Sequence, residues 1–108
     1  MIQCLVVNHM PITIQMRQRF DSSFLADGDV AVRFCTQEVE PVLLRGDSVV
    51  FDFTGVDNMT DSFSNACFAN LFKNHRDLVG NRIRFKACTP LIKDFVLSAL
   101  SMSESDNN

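Results

Sequence analysis

A hydroxyl-rich segment near the middle of the chain has residue types and spacing that suit phosphate chemistry. Asp52 interrupts an apolar run, Thr54 follows it, and Ser62 lies at the start of the next amphipathic stretch. A serine in the first turn of a helix faces free amides and the positive end of the helix dipole, which stabilise a phosphate by about 0.3 to 1 kcal/mol at an exposed site. Asp57 and Asp61 oppose this effect, because phosphorylation adds about two negative charges beside them. Ser62 is therefore a candidate phosphorylation site.

The same residues also have purely structural explanations. Thr60, Asp61 and Ser62 can cap the free amides of a helix start without any modification. Asp52 can position a phosphate, a metal or a basic residue of a partner, or it can accept hydrogen bonds from the loop amides of 55–58 and hold the turn. Local chemistry favours capping and loop fixing, and the functional roles stay open beside them.

Four strand-like segments and one turn predict the sheet that must position these residues. Residues 2–7 and 12–16 flank turn residues 8–11, which predicts an N-terminal antiparallel hairpin. Residues 48–53 are almost entirely apolar with high β-propensity, which predicts a central strand covered on both faces. Residues 82–88 alternate between apolar and basic side chains, which predicts a half-exposed strand.

Three amphipathic stretches predict about three helices. The first begins near Val30 and should kink or end near Glu40, because Pro41 removes an amide donor and clashes with the preceding turn. The second covers about 61–74, and the third follows Thr89-Pro90, a capping hydroxyl with proline at the first helical position. We therefore predict an α/β protein with a small open mixed sheet, built from the hairpin and parallel βαβ units with right-handed connections.

Composition bounds the class of protein and its partners. The chain has 108 residues, 46% of them hydrophobic, which predicts one domain over 1–102 with a flexible polar tail over 103–108. Phenylalanine is its only aromatic residue, and we expect these rings in the core. The net charge of −3 and the scattered basic residues argue against nucleic acid binding. Without a basic leader or an apolar run of roughly 20 residues, we expect a soluble cytoplasmic protein with no membrane partner.

Side chains for catalysis or metal binding are sparse. Four cysteines are widely spaced in apolar segments, namely Cys4, Cys35, Cys67 and Cys88, and they favour buried reduced thiols over a disulfide or metal site. Ser62 has no histidine nearby in sequence to act as a base, and both His9 and His75 are expected at the surface. The sequence contains no GxSxG, Walker-type loop or HExxH motif. We therefore expect no catalytic residues, no metal, no cofactor and no enzyme activity.

Four segments of the chain resemble the STAS-like domain family of unknown function, namely 50–56, 59–63, 83–85 and 89–93. The similarity covers about 30–100, which is most of the chain. That family is itself similar to the STAS domains of anti-sigma-factor antagonists and sulfate transporters. The resemblance therefore implies a STAS-like fold and a bacterial signalling protein.

The antagonist STAS domains have an Asp-Ser-Ser-Gly helix start whose second serine is phosphorylated by a partner kinase. In a gap-free comparison that serine matches Ser62, Asp52 matches the strand-end aspartate, and Thr54 matches the hydroxyl residue after it. The chain departs from the pattern at Thr60, Asp61 and Phe63, which replace the aspartate, the first serine and the glycine. In the antagonists that glycine lets a partner approach closely.

The resemblance implies a regulatory protein-interaction module, with a histidine-kinase-like ATPase as partner and phosphorylation of Ser62 as the switch. The partner-binding residues that it implies are Asp52, Thr54, Asp57, Asn58, Thr60, Asp61, Ser62 and Phe63. The alternative is a constitutive scaffold or homodimerisation domain without phospho-switching, which pairs through a sheet edge or the N-terminal hairpin. A small-ligand carrier is a third possibility.

Overall fold

A three-stranded parallel sheet and the helices packed on it make up most of the protein, of which the computed structural model describes residues 11–105. The strands are β1 (Pro11–Gln15), β2 (Phe24–Leu25), β3 (Ser48–Asp52), β4 (Asn58–Met59) and β5 (Ile83–Lys86). The helices are α1 (Met16–Phe20), α2 (28–44), α3 (61–74) and α4 (Pro90–Ser105), with one 3₁₀ turn at Arg76–Leu78. Helix α2 contains a π-helical segment at Cys35–Val39, and α3 contains one at Asn65–Ala69.

Strand β3 lies in the middle of the larger sheet, whose order is β1-β3-β5. Both pairings are parallel, and Val49 is aligned with Ile12 on one side and with Ile83 on the other. This confirms the predicted central position of 48–53. The predicted cover on both faces is not observed, because Val50 is half-buried and its aligned neighbours Thr13 and Arg84 are exposed. A second sheet pairs β2 with β4, also in parallel.

The predicted antiparallel hairpin does not match the structure. Its second strand, 12–16, corresponds to β1, which runs parallel to β3, while its first strand, 2–7, lies outside the described residues. All strand pairs within residues 11–105 are parallel. The physical reason is that α1, β2 and α2 separate β1 from β3, and a crossover of that length brings the chain back in the same direction.

The prediction of about three helices is corrected to four, because α1 follows β1 without a break. This helix has five residues and ends at Asp21, whose φ of 50° is left-handed. Hydrophobic periodicity can be recognised only in windows of roughly 11 to 18 residues. A helix as short as α1 therefore gives no periodic signal in the sequence. The bounds of α3 agree with the predicted 61–74.

The helix was predicted to kink or end near Glu40, and it does not end there: α2 has a π-helical irregularity up to Val39, passes through Pro41 and continues to Leu44. It begins two residues before Val30, because Asp27 caps it by accepting hydrogen bonds from the Asp29 and Val30 amides at 2.9 and 3.2 Å. The π-helical segment directly precedes the turn that contains Pro41. A π segment widens the helix where a regular α-helix would clash with the proline ring, so the helix continues to Leu44.

Phenylalanine rings fill the space between the sheet and the helices, as the composition predicts. The rings of Phe34, Phe51, Phe53, Phe63, Phe68 and Phe72 are at most 1% exposed. Phe51 of β3 contacts Phe68 of α3 with ring centroids 5.2 Å apart, and it stacks on Phe85 of β5 at 5.4 Å. Phe24 is the exception among these predictions, since it is 49% exposed.

The last helix extends to Ser105, past the predicted start of the polar tail at residue 103. Ser103 is 2% exposed, and its hydroxyl donates a hydrogen bond to the Leu100 carbonyl at 2.7 Å. Among the helices of residues 11–105, none has the length and apolar character required to cross a membrane.

Candidate functional site

Asp52 closes β3 at the carboxyl edge of the sheet and fixes the turn that follows. Asp52 is 7% exposed. Its side-chain oxygen Oδ1 accepts hydrogen bonds from the Thr54 amide at 2.9 Å and the Thr54 hydroxyl at 2.6 Å. Its Oδ2 lies 3.8 Å from Lys86 Nζ of the neighbouring strand. Asp52 therefore holds the turn as local chemistry favours, although it does so through Thr54 and not through the amides of 55–58.

The hydrogen bonds from Thr54 lower the pKa of Asp52 below its ordinary value, the side-chain bond more than the backbone bond. The charge of Lys86 lowers this pKa further, and burial opposes both effects. The carboxylate is consequently ionised at neutral pH. The folded protein therefore stabilises the charge of the buried Asp52, which distinguishes Asp52 from the exposed acids on the surface.

A small open cavity lies beside Asp52, where β1 and β3 end next to each other. Its volume is about 190 Å³, and its lining comprises Gln15, Arg17, Gln18, Asp52 and Thr54. Parallel pairing aligns Gln15 with Asp52, and Asp52 with Lys86 on the other side. We call Gln15, Arg17, Gln18, Asp52, Thr54 and Lys86 the strand-end cluster.

Ser62 lies in the first turn of α3 with its side chain exposed to solvent. Thr60 caps this helix, because its hydroxyl accepts a hydrogen bond from the Phe63 amide at 3.1 Å and donates one to the Ala26 carbonyl at 2.8 Å. Within residues 11–105, no partner accepts or donates a hydrogen bond at the Ser62 hydroxyl. The capping explanation therefore applies to Thr60, and Ser62 is available. We call residues 57–62 the helix mouth.

The helix mouth is held in place by the smaller sheet. The amides of Asp57 and Asn58 both approach the Ser23 carbonyl, at 2.9 and 3.3 Å, and the Thr60 amide donates to the Leu25 carbonyl at 2.9 Å. The Asn58 side chain accepts a hydrogen bond from the Met59 amide at 2.8 Å. The backbone ahead of Ser62 is consequently fixed while the side chains of Asp57 and Asn58 remain exposed.

The starts of α2 and α3 are in direct contact at Gly28. A Cβ atom at this position would lie 3.2 Å from the Ser62 carbonyl oxygen and 3.4 Å from the Ser62 Cβ. Both helix starts carry exposed acids beside this contact in the sequence, namely Asp27 and Asp29 on either side of Gly28 and Asp61 next to Ser62. Ser62 therefore lies in an acidic environment on the surface of the protein.

Phe63 is in the core, although the resemblance assigns it to the partner-binding residues. It is 1% exposed, and its ring centroid lies 5.2 Å from that of Phe20. A phenyl ring at this position anchors the first turn of α3 from inside, so it offers a partner no contact surface. Asp52 is similarly buried at 7%.

The structure divides the predicted site residues into two groups. Asp52 and Thr54 belong to the strand-end cluster, whereas 57–62 form the helix mouth, and the cavity beside Asp52 has none of the helix-mouth residues in its described lining. Sequence reasoning missed Arg17 and Lys86, because Lys86 reaches Asp52 only through strand pairing and Arg17 reaches the cavity only through the position of α1 beside the turn at Gly55.

The remaining reactive side chains lie away from both groups. His75 pairs with Glu40, with 2.8 Å between Nε2 and Oε2, and it follows Ser62 by 13 residues, which corresponds to about 20 Å along a helix. Residues 11–105 contain no cluster of three histidine, cysteine or acidic side chains that could hold a metal ion.

The cysteines of the described chain are free thiols, in agreement with the prediction. Cys35 and Cys67 are buried, and Cys35 Sγ lies 3.7 Å from the Cys67 carbonyl oxygen. Burial raises the pKa of Cys67 well above its ordinary value, and the adjacent Cys35 raises it further. Cys88 is half-buried, and burial raises its pKa too. Cys4 lies outside the described residues.

The sequence comparisons bear on both groups of site residues. A family model described as a STAS-like domain of unknown function matches residues 31–93, a range that includes the end of β3 and the helix mouth. Searches of curated proteins and of solved structures found no match to this chain. Because the matched range is more than half of the 108 residues, the chain belongs to the STAS-like domain family of unknown function.

Proposed function

We propose that this protein is a regulatory interaction module that binds a protein partner through the helix mouth, and that phosphorylation of Ser62 switches the binding. The observation that carries the proposal is the exposed Ser62 hydroxyl, which stands in the first turn of a helix just after the central strand. A phosphate in that turn would face helix amides that have no partner inside the helix. The site is therefore accessible to a kinase and able to hold the product.

Charge explains how a phosphate would change partner binding. Ser62 has the acidic side chains of Asp57 and Asp61 close to it in sequence, and Asp27 and Asp29 on the adjoining helix start. About two further negative charges on this surface repel acids and strengthen attraction to basic groups. A partner whose contacts are adjusted to the unmodified surface would lose affinity on phosphorylation, which is the direction we propose.

The contacts that hold the helix mouth in place do not involve the Ser62 hydroxyl, so phosphorylation of Ser62 should change partner binding without changing the fold. Thr60 caps α3 and Phe63 anchors its first turn in the core, so neither task falls to Ser62. Modification of an exposed hydroxyl without hydrogen-bond partners among the described residues leaves these contacts intact. The proposed signal is thus local, a change of charge on a surface of fixed shape.

The kinase is proposed to be a separate histidine-kinase-like ATPase, and the chain itself is proposed to have no catalytic activity. Ser62 would need a neighbouring base to act as a nucleophile. His75, the histidine of the described residues, lies beyond the other end of the same helix and pairs with Glu40. The distance of His75 from Ser62 and its pairing with Glu40 both support a protein that is phosphorylated by another enzyme.

Incubation of the protein with a purified histidine-kinase-like ATPase, in the presence of ATP and Mg²⁺, tests the proposal. Mass spectrometry should locate the phosphate on Ser62, and Ser62→Ala should abolish it. Ser101→Ala is the matched control, since Ser101 is an exposed serine on α4 and its removal should leave phosphorylation unchanged.

Partner affinity provides the second measurement. Ser62→Asp should weaken binding by about tenfold or more, equivalent to about 1.4 kcal/mol. Gln37→Glu adds one negative charge at an exposed position of α2 and should leave affinity unchanged. An unmodified Ser62 together with unaltered binding by Ser62→Asp would contradict the switch.

A homodimer or constitutive scaffold is the second candidate, because the sheet of the described residues ends at β1 and β5. Open strand edges can pair with a second copy, but exposed charges on an edge strand oppose this, and β5 carries Arg84 and Lys86. We rank this function below the switch for that reason. Light scattering that shows a dimer at all concentrations, unaffected by Ser62→Ala, would support it.

A further inference from the structure

We propose that the cavity beside Asp52 binds a small zwitterion, and that its ligand class is the free α-amino acid. In open α/β sheets, ligands bind beyond the carboxyl ends of the strands, and this cavity of about 190 Å³ lies where β1 and β3 end side by side. The inference stands apart from the proposed function, because none of the helix-mouth residues contributes to it.

Asp52 supplies a buried negative charge with unused hydrogen-bonding capacity. Its side chain is 10% exposed, and both hydrogen bonds from Thr54 reach Oδ1. Oδ2 lies 3.8 Å from Lys86 Nζ, which is an ion-pair distance beyond that of a hydrogen bond. Since a carboxylate oxygen accepts about two hydrogen bonds, Oδ2 can accept them from the ammonium group of a ligand.

Arg17 supplies the opposite charge on the wall of the same cavity. Its aliphatic stem rests on the turn after Asp52, because a Cβ at Gly55 would lie 3.2 Å from Arg17 Cγ. Its side chain is 45% exposed, and its Nη1 lies 3.7 Å from Asp21, again beyond hydrogen-bond distance. The guanidinium therefore retains its paired donors, whose geometry matches a carboxylate.

Simple ions suit this cavity less well than a zwitterion. A free anion would meet the buried charge of Asp52, and a metal cation would meet the charges of Arg17 and Lys86 around a single carboxylate of the described lining. A zwitterion carries no net charge, and it can direct its ammonium group to Asp52 and its carboxylate to Arg17, so each of its own charges meets an opposite charge of the cavity. The amides of Gln15 and Gln18 can complete the hydrogen bonds of either group.

The size of the cavity agrees with this ligand class. Sites for drug-sized ligands have volumes of roughly 300 to 1,000 Å³. The cavity beside Asp52 is smaller than this range, at about 190 Å³. It therefore suits a molecule of the size of an amino acid.

Titration of the full chain with each proteinogenic amino acid, followed by backbone amide NMR, tests the proposal. Shifts concentrated at 15–18 and 52–55 would locate the ligand in the cavity. For an amino acid that binds, its deaminated and decarboxylated analogues are titrated next; for L-alanine these are propionate and ethylamine. We expect the amino acid to bind at least about tenfold more tightly than either analogue, because each analogue lacks one charge pair.

Two charge variants and one control sharpen the test. Asp52→Asn and Arg17→Gln should each weaken amino acid binding by about tenfold or more. Arg84→Gln should leave it unchanged, since Arg84 is an exposed cation of β5 outside the described lining of this cavity. Circular dichroism checks that Asp52→Asn folds, and Arg17→Gln, a change at an exposed side chain, carries the test if it does not.

Three results would overturn the proposal. Equal binding of the deaminated analogue would indicate an anion site, and equal binding of the decarboxylated analogue would indicate a cation site. An absence of shifts at 15–18 and 52–55 with all of the amino acids would exclude the ligand class. These titrations use neither ATP nor a partner, so their failure leaves the proposed phosphorylation of Ser62 unaffected.

Discussion

The strand-end cluster and the helix mouth use polar side chains in opposite ways. At the strand end, Asp52 is withdrawn from water and its charge is matched by Thr54 and Lys86. At the helix mouth, Ser62 is exposed and has no hydrogen-bond partner within residues 11–105. The polar side chain at the strand end is therefore bonded within the protein, whereas the one at the helix mouth is available for modification. An acid at a strand end and a serine ten residues later can therefore belong to separate sites, although both are part of one sequence motif.

The largest expected effect concerns the anchor of the helix mouth. Phe63→Ala should lower the free energy of unfolding by about 3 to 5 kcal/mol, because it removes a ring that is 1% exposed and leaves a cavity. Urea denaturation followed by circular dichroism measures the change. Phe24→Ala is the matched control, and it should cost less than about 1 kcal/mol because Phe24 is already 49% exposed. Equal effects at the two positions would show that Phe63 does not anchor α3.

An intermediate effect is expected at the strand end, and it depends on pH. The pKa of Asp52 is lowered in the folded protein, so its stabilisation is complete above the unfolded-state pKa of about 3.9 and is lost as the pH falls through the lower folded value. Asp52→Asn should therefore be less stable than the wild type by about 1 to 3 kcal/mol at neutral pH. This difference should shrink as the pH falls below about 4.

Unfolding in urea at neutral and at acid pH measures both quantities. Asp57→Asn is the control, because it removes the same charge from an exposed side chain of the helix mouth. That variant should remain within about 0.5 kcal/mol of the wild type under both conditions. A difference for Asp52→Asn that does not change with pH would mean that its charge contributes nothing to stability.

The smallest effects distinguish Thr60, which caps α3, from the exposed Ser62 within the helix mouth. Thr60→Ala should destabilise the protein by about 1 kcal/mol, because the Phe63 amide loses its hydrogen bond to the Thr60 hydroxyl. Ser62→Ala should change stability by less than about 0.5 kcal/mol, as expected of an exposed side chain. Thermal unfolding of the two variants side by side makes the comparison. A larger loss for Ser62→Ala would mean that Ser62 has a structural role.

Local signals in the sequence were sufficient for several elements. The threonine cap followed by an amphipathic stretch predicted α3 at 61–74, and the structure has these bounds. The apolar run over 48–53 predicted a central strand, and β3 lies between β1 and β5. The periodicity predicted the start of α2 near Val30, two residues after its observed start at Gly28, because the cap by Asp27 lies outside the periodic pattern.

Long-range contacts decided the features that sequence reasoning missed. An alternating segment such as 12–16 shows which side chains are buried, but it carries no information on the direction of its partner strand. The proline by itself predicted a kink or an end near Glu40, and it did not show that a π-helical segment would let α2 continue to Leu44. For Phe63, the resemblance implied partner contact whereas the composition predicted a core position, and its packing against Phe20 confirms the core position.

The sequence by itself determined the class of fold, the central strand with its terminal aspartate, and a helix that starts with an exposed serine, because caps and hydrophobic periodicity act over a few residues. Tertiary structure alone decided that β1 is parallel, that Arg17 and Lys86 join Asp52, and that Gly28 meets Ser62. These contacts join residues that are far apart in the chain. Their geometry is set by strand register and helix packing, which depend on the whole domain at once.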